Sequence, residues 1–194
     1  MDNRIKFCSQ CGGQVIAKVP EGDDHLRAVC PVCDMIHYQN PKVITGCLPV
    51  WEDKVLLCRR AIEPRHGFWT LPAGFMENGE TTQQGAARET LEEAQARVDI
   101  VQLYSVFSLP VIDQVYMLYR GHLLDLDFAP GDESLEVALF SEDQIPWDEV
   151  AFHVVTETLR FYFSDRKTGL YRLHSGTIEH TPGPKREYKT LVHE

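Results

Sequence analysis

The sequence is short of positive charge: 19 Lys and Arg stand against 29 Asp and Glu in 194 residues, a formal net charge of −10. Binding to polyanions is driven by Lys and Arg contacts with phosphates, so this balance argues against a nucleic-acid surface. Any anionic ligand must then be met locally, by a metal and a few basic side chains. Long apolar runs are missing as well, none approaching the roughly 18 residues of a membrane span. Met1-Asp2-Asn3-Arg4-Ile5-Lys6 lacks the apolar core of a signal peptide. A cytoplasmic protein without a membrane partner is expected. No internal repeat or low-complexity tract is present, and a 43% hydrophobic, 25% charged composition is that of an ordinary globular chain. The length suits one domain with a small appendage.

Six cysteines are present, and four are paired in sequence: Cys8-Ser9-Gln10-Cys11, eighteen residues, then Cys30-Pro31-Val32-Cys33. In a reducing compartment such thiols are metal ligands or free rather than disulfides. The spacing is that of a zinc ribbon, in which two knuckles each bring two thiolates to one tetrahedral ion. A rubredoxin-like iron site and a redox pair are the alternatives. Four thiolates leave no open coordination position, so Zn2+ here is structural. Residues 1–42 hold five basic and five acidic residues. A neutral ribbon reads polyanions poorly, which favours a scaffold role on its own catalytic domain or across a homodimer. His25 and His37 are expected to be bystanders. Cys47 and Cys58 fall within strands and read as buried free thiols.

The second dense region is Gly74-Phe75-Met76-Glu77-Asn78-Gly79-Glu80 and the helix after it. Thr81 with Gln84 three residues on fits a capping box, which starts the helix. At about 100° per residue, Ala87, Leu91, Ala94 and Val98 share one face, predicted to pack, and Glu89, Glu92 and Glu93 share nearly the opposite one. Like charges at these spacings repel, and Arg88 can offset only part of this through Glu92. A hard divalent cation such as Mg2+ turns the repulsion into ligation, which points to phosphate chemistry. The plainer reading is a solvated acidic face.

The spacing from Gly74 through Glu80 to Arg88-Glu89 and Glu92-Glu93, preceded by Trp69-Thr70-Leu71-Pro72-Ala73, resembles the Nudix box. Thr90 and Gln95 depart from it, standing where the family has an aliphatic residue and a glycine. The resemblance implies metal ligation by the Ala73 carbonyl and by Glu89 and Glu93, with Glu92 as ligand or base. It gives Gly74, Glu80 and Arg88 structural roles, and it implies Mg2+- or Mn2+-dependent hydrolysis of a pyrophosphate bond. A further catalytic glutamate is expected downstream, Glu136 or its rival Glu133. Arg59, Arg60 or an arginine of the Arg65-His66-Gly67-Phe68 loop suits a phosphate clamp. Phe107, Tyr116 and Phe152 are candidates for stacking on a base or flavin, against ordinary core packing.

The implied fold is α/β, a Nudix α/β/α sandwich with a mixed sheet, preceded by a small zinc ribbon. Expected boundaries are 1–38 for the ribbon, 39–168 for the Nudix domain and 169–194 for a tail. Strands are read at 42–51, 54–60, 98–109, 114–124 and 137–140, with a second helix at 151–163 burying Val154, Val155, Leu159 and Phe163. The segment from Arg172 onward lacks a clear period, and its histidines 174, 180 and 193 read as solvated. Ribbon plus Nudix order is shared with bacterial NADH pyrophosphatases, whose Ser-Gln-Pro-Trp-Pro-Phe-Pro run is replaced here by 106–116. That segment, Phe128-Ala129-Pro130-Gly131, Glu133-Ser134-Leu135-Glu136 and Gly176-Thr177-Ile178 resemble plastid FAD and ADP-ribose pyrophosphatases and their bacterial relatives. The favoured reaction is cleavage of FAD or ADP-ribose to AMP plus FMN or ribose 5-phosphate. NADH or NAD-capped RNA is the alternative substrate. A nucleotide-sensing, protein-binding module is the alternative of another class.

Overall fold

The structure is a computed structural model that describes residues 5–181 and 187–193. It divides into two compact units, Met1–Asn40 and Pro41–Glu194. In the first, β1 (Ile16–Lys18), β2 (Arg27–Val29) and β3 (Ile36–His37) form a three-stranded antiparallel sheet. Three strands this short bury little, and the unit's core is Cys8, Val15, Ala28 and Cys30. A unit with so small a core needs a cross-link or a metal to be stable.

The second unit is built on one mixed sheet. Its strands are β4 (Lys42–Trp51), β5 (Lys54–Arg60), β6 (Trp69–Thr70), β7 (Ala73–Phe75), β8 (Val98–Leu109), β9 (Gln114–Leu123), β10 (Ser134–Phe140), β11 (His174–Thr181) and β12 (Glu187–His193). The order is β10-β5-β4-β9-β8-β11-β12, with β6 on β5 and β7 on β4. β4 runs parallel to β9 from Lys42↔Gln114 to Val50↔His122. Seven consecutive residues of β4 are buried, as a strand covered on both faces requires. α2 (His153–Thr168) packs Val154, Val155, Leu159 and Phe163 with Leu48, Val50, Leu57 and Leu118. α1 (Thr82–Ala94) contributes Ala94 to a separate cluster with Leu56, Cys58 and Leu123. The α/β sandwich therefore stands as expected.

Four expectations need correction. The packed face of α1 is Gly85, Ala86, Glu89, Thr90, Glu93 and Ala94, while Leu91 is 52% exposed and Val98 belongs to β8. Small residues choose that face: a Cβ on Gly85 would come within 2.5 Å of Thr45 Oγ1. Thr90, at an aliphatic position of the family pattern, is fully buried and satisfies its hydroxyl by donating to the Ala86 carbonyl at 2.8 Å. Gln95, at the family's glycine position, takes the left-handed conformation with φ of 49° that ends the helix.

The segment after Arg172, expected to be irregular, supplies β11 and β12, and β11 lies parallel to β8. Its pattern was hidden because polar residues such as Ser175, Thr177 and Glu179 fill a strand whose ladder carries the pairing. His174, read as solvated, has its Nε2 2.8 Å from Asp165 Oδ2 and stacks on Phe161 at 4.1 Å. The side chains of His180 and His193 lie outside the described residues. Finally, β10 starts at Ser134 rather than Val137, so Glu136 is within a strand and not ahead of one.

Candidate active site

The capping box starts α1 as the sequence requires: Thr81 Oγ1 accepts from the Gln84 N–H at 3.2 Å, and Gln84 Oε1 accepts from the Thr81 N–H at 2.8 Å. The loop ahead of it is fastened by Glu80, whose Oε1 accepts from the Glu77 N–H at 2.7 Å and whose two oxygens accept from Arg88 at 2.8 and 3.0 Å. That guanidinium holds the Glu80 carboxyl down to about 2. Arg88 also donates to the Phe75 carbonyl at 3.2 Å, Glu89 at 2.7 Å and Glu92 at 2.8 Å. One guanidinium thus binds loop, helix and strand β7 together.

Beside this lock the carboxylates turn inward. Glu89 is 8% and Glu93 7% exposed. Gly74 makes room for the first, since a Cβ there would sit 2.4 Å from Glu89 Oε1. The Ala73 N–H favours the ionised form of Glu93, yet burial and the neighbouring Glu89 push it up to about 8. Burial likewise raises Glu89 against the opposing pull of Arg88. Glu133 is close enough to push both carboxyls further the same way. It gets there because its loop is pinned to the end of α1: Ala129 N–H donates to the Ala94 carbonyl, Gly131 N–H to the Glu93 carbonyl, each at 3.0 Å, and Gln95 Nε2 to the Pro130 carbonyl at 3.0 Å. A Cβ on Gly131 would lie 1.7 Å from the Glu92 carbonyl oxygen, so only glycine fits.

These groups line a cavity of about 1450 Å3. Ala73, Gly74, Arg88, Glu89, Glu92, Glu93 and Glu133 line it together with Arg60, Tyr116 and Phe152. The Arg60 guanidinium sits 5.1 Å from the centre of the Phe152 ring, and its charge is felt by both Glu93 and Tyr116. Three expected residues are not brought in. Phe107 is fully buried in the core and stacked with Phe161. Arg59 donates to the Gly67 carbonyl at 2.9 Å and faces Glu136 across the β5–β10 ladder at 3.6 Å. Glu136 is thereby spent on the sheet edge, leaving Glu133 in the cavity. The lining also includes Val111, Ile112, His153 and Ile178, which sequence reasoning missed. Val111 and Ile112 sit on a short turn after β8 without helical or strand period, and Ile178 is on the segment taken for a tail.

The four thiol sulfurs of Cys8, Cys11, Cys30 and Cys33 lie within 4.8 Å of one another, with Cys8–Cys33 at 3.6 Å and Cys11–Cys30 at 3.5 Å. Sulfurs about 2.3 Å from one tetrahedral ion would be separated by about 3.8 Å, so the cluster fits a metal of zinc's size. Glu89 and Glu93 are two buried carboxylates on one helix turn with a single guanidinium among them, a donor set of the kind hard cations take. The buried thiols of Cys47 and Cys58 are unsuited to nucleophilic work, because burial pushes Cys47 up to about 12 and Cys58 further still.

Comparison with known proteins gives the same division. Residues 6–39 match the family described as Nudix N-terminal, and residues 40–158 match the NUDIX domain. The chain belongs to the Nudix family. It is 64% identical to a NUDIX hydrolase of solved structure from Nitrosomonas europaea, with a TM-score of 0.87 over 90% of this chain and 99% of that one. It is 32% identical to an NAD-capped RNA hydrolase NudC from Photobacterium profundum over 70% of its own length and 49% of that protein. It is 27% identical to an ADP-ribose pyrophosphatase from Methanocaldococcus jannaschii over 73% of its own length and 88% of that protein. The chain thus spans about half the length of the NudC relative. Among the described residues no helix is long and apolar enough to cross a membrane.

Proposed function

We propose that this Nudix chain is a divalent-metal-dependent pyrophosphohydrolase acting on ADP-ribose or FAD, releasing AMP with ribose 5-phosphate or FMN. The observation that carries this reading is a single cavity lined both by the carboxylates Glu89, Glu92, Glu93 and Glu133 and by Arg60, Tyr116 and Phe152. A volume of about 1450 Å3 exceeds the roughly 300–1,000 Å3 of common ligand sites and suits a dinucleotide-sized molecule. Glu89 and Glu93, with Glu92, are the residues that would hold Mg2+ or Mn2+. When bound, such an ion supplies Lewis-acid polarisation of a phosphoryl oxygen and a water acidic enough to act as nucleophile.

The chain's own groups account for the remainder. Arg60 lies over the Phe152 ring and close enough to Glu93 for its charge to be felt there, so its fork can take a phosphate whose neighbour is at the carboxylates. Glu133, on its glycine-pinned loop, lines the same cavity and is the candidate to accept a proton from water. Tyr116 and Phe152 are the lining rings available to the adenine or flavin. Glu80 and Arg88 keep the loop and helix in register. The ribbon would carry Zn2+ on Cys8, Cys11, Cys30 and Cys33 in a structural role.

The test is a hydrolysis panel with FAD, ADP-ribose, NADH and NAD-capped RNA, each with Mg2+ or Mn2+ and products separated by chromatography. AMP released from ADP-ribose or FAD supports the reading. Turnover of NAD-capped RNA in preference would favour the second substrate class, which the similarity to NudC recommends. No turnover of any of the four would move the protein to a nucleotide-sensing role.

A further inference from the structure

The apolar part of the cavity draws on the C-terminal hairpin. Ile178 on β11 lines it, and β11 is set in place by its parallel register with β8, from His174↔Ser105 to Thr177↔Ser108. β12 pairs with β11 along its whole length and carries Thr190. Thr190 Oγ1 lies 2.9 Å from Nε2 of His153, at the first position of α2. His153 is in the cavity lining, adjacent to Phe152, whose ring faces Arg60. Burial pushes the His153 imidazole below its ordinary pKa, and Glu157 Oε1 is 3.8 Å away on the next turn. The start of α2 has no side-chain cap of its own and is tied through its backbone, the Ala151 N–H donating to the Trp69 carbonyl at 2.8 Å. Thr190 adds a side-chain tie from 37 residues away.

We propose that Thr190 is a positioning residue for substrate: by holding His153 it fixes the Phe152–His153 corner against which the nucleoside end of the substrate rests. This rests on the hydrolase reading above and deepens it, because it gives the C-terminal hairpin a part in substrate selection. The box helix keeps the chemistry.

The test uses the full-length, zinc-retaining protein with Thr190→Val, which keeps the shape and removes the hydroxyl, and Thr190→Ser, which restores it. Thr190→Val is expected to raise KM for ADP-ribose about fivefold, the scale of one hydrogen bond, with kcat within about twofold. Thr190→Ser returns KM to the wild-type value. In a His153→Ala background Thr190→Val adds nothing further, as residues acting through one contact require. An unchanged KM in Thr190→Val overturns the proposal, and so does a fall in kcat and thermal midpoint that Thr190→Ser fails to rescue. If the wild type turns over none of the four substrates, the hydrolase reading falls separately. ADP-ribose affinity by calorimetry then decides: weaker binding to Thr190→Val than to Thr190→Ser sustains the positioning role, and equal binding refutes it.

Discussion

The ribbon and the box helix each gather four potential ligands, and they gather them in opposite ways. In the ribbon, four sulfurs already converge within 4.8 Å, two of them buried and two exposed. In the larger unit the carboxylates differ in setting: Glu89 and Glu93 are buried, Glu92 is exposed and shares Arg88 Nη1 with Glu89, and Glu133 is brought by a separate loop. A closed set of soft ligands is a fastening and leaves nowhere for a substrate. An open set of hard ligands in a cavity wall leaves positions for water and phosphate. The ribbon has only the small core of Cys8, Val15, Ala28 and Cys30, which a metal on its four thiolates would cross-link, whereas the larger unit has its own cores around Leu48, Leu118 and Leu159 and around Leu56 and Leu123.

The sharpest way to break this contrast is to attack each set in turn. Chelating the ribbon's ion, or replacing Cys8 with Ser, is expected to unfold residues 5–40 and leave the larger unit folded. Metal binding to such a site is worth about 10–16 kcal/mol, far more than three short strands can replace. Amide exchange resolved by residue would show it, and protection persisting in β1 to β3 after metal removal would contradict it. At the other set, Glu93→Gln is expected to cut turnover by roughly 10^2- to 10^3-fold or more, because it removes charge from the cavity lining. Stability should move the other way. A neutral amide replaces a carboxyl whose ionisation burial opposes, so without added Mg2+ the thermal midpoint at pH 8 should hold or rise. Loss of stability together with activity would make Glu93 a packing residue.

How legible these sets were in the sequence follows from the same contrast. Spacing alone located all four cysteines, because a knuckle is a local geometry. Charge repulsion along one helix face pointed to a cation at Glu89, Glu92 and Glu93, while the roles expected of Glu80 and Arg88 and the hydrolytic chemistry came from the resemblance of the spacing to the Nudix box. Periodicity named the wrong packed face, since it weighs Leu91 above Gly85 and Ala86. What decided the face was how closely a glycine lets α1 approach Thr45. The choice between Glu133 and Glu136 was equally out of reach. It depends on where β10 begins and on which glutamate Arg59 takes across the ladder. His153 and Ile178 were missed because their place in the cavity is set by pairing over long sequence distances, which no local pattern records.

The smallest effect concerns the lock between the two ends of the box, Glu80 and Arg88. Glu80 is held down to about 2, below the ordinary carboxylate value of 4.5, by the Arg88 guanidinium and the Glu77 N–H. Between those two values the folded protein binds fewer protons than the unfolded chain. The lock's contribution is therefore complete above pH 4.5 and is lost as pH falls toward 2. Glu80→Gln removes that dependence, so denaturant titrations of wild type and variant should differ most near neutrality and converge as the pH approaches 2. Because Arg88 also holds Glu89 and Glu92, the freed guanidinium should draw harder on those two carboxylates. The Mg2+ concentration needed for half-maximal activity should then rise in Glu80→Gln, even at pH values where stability is barely altered. A variant with the wild-type metal requirement would show that Arg88 fastens the loop without bearing on the ligands beside it.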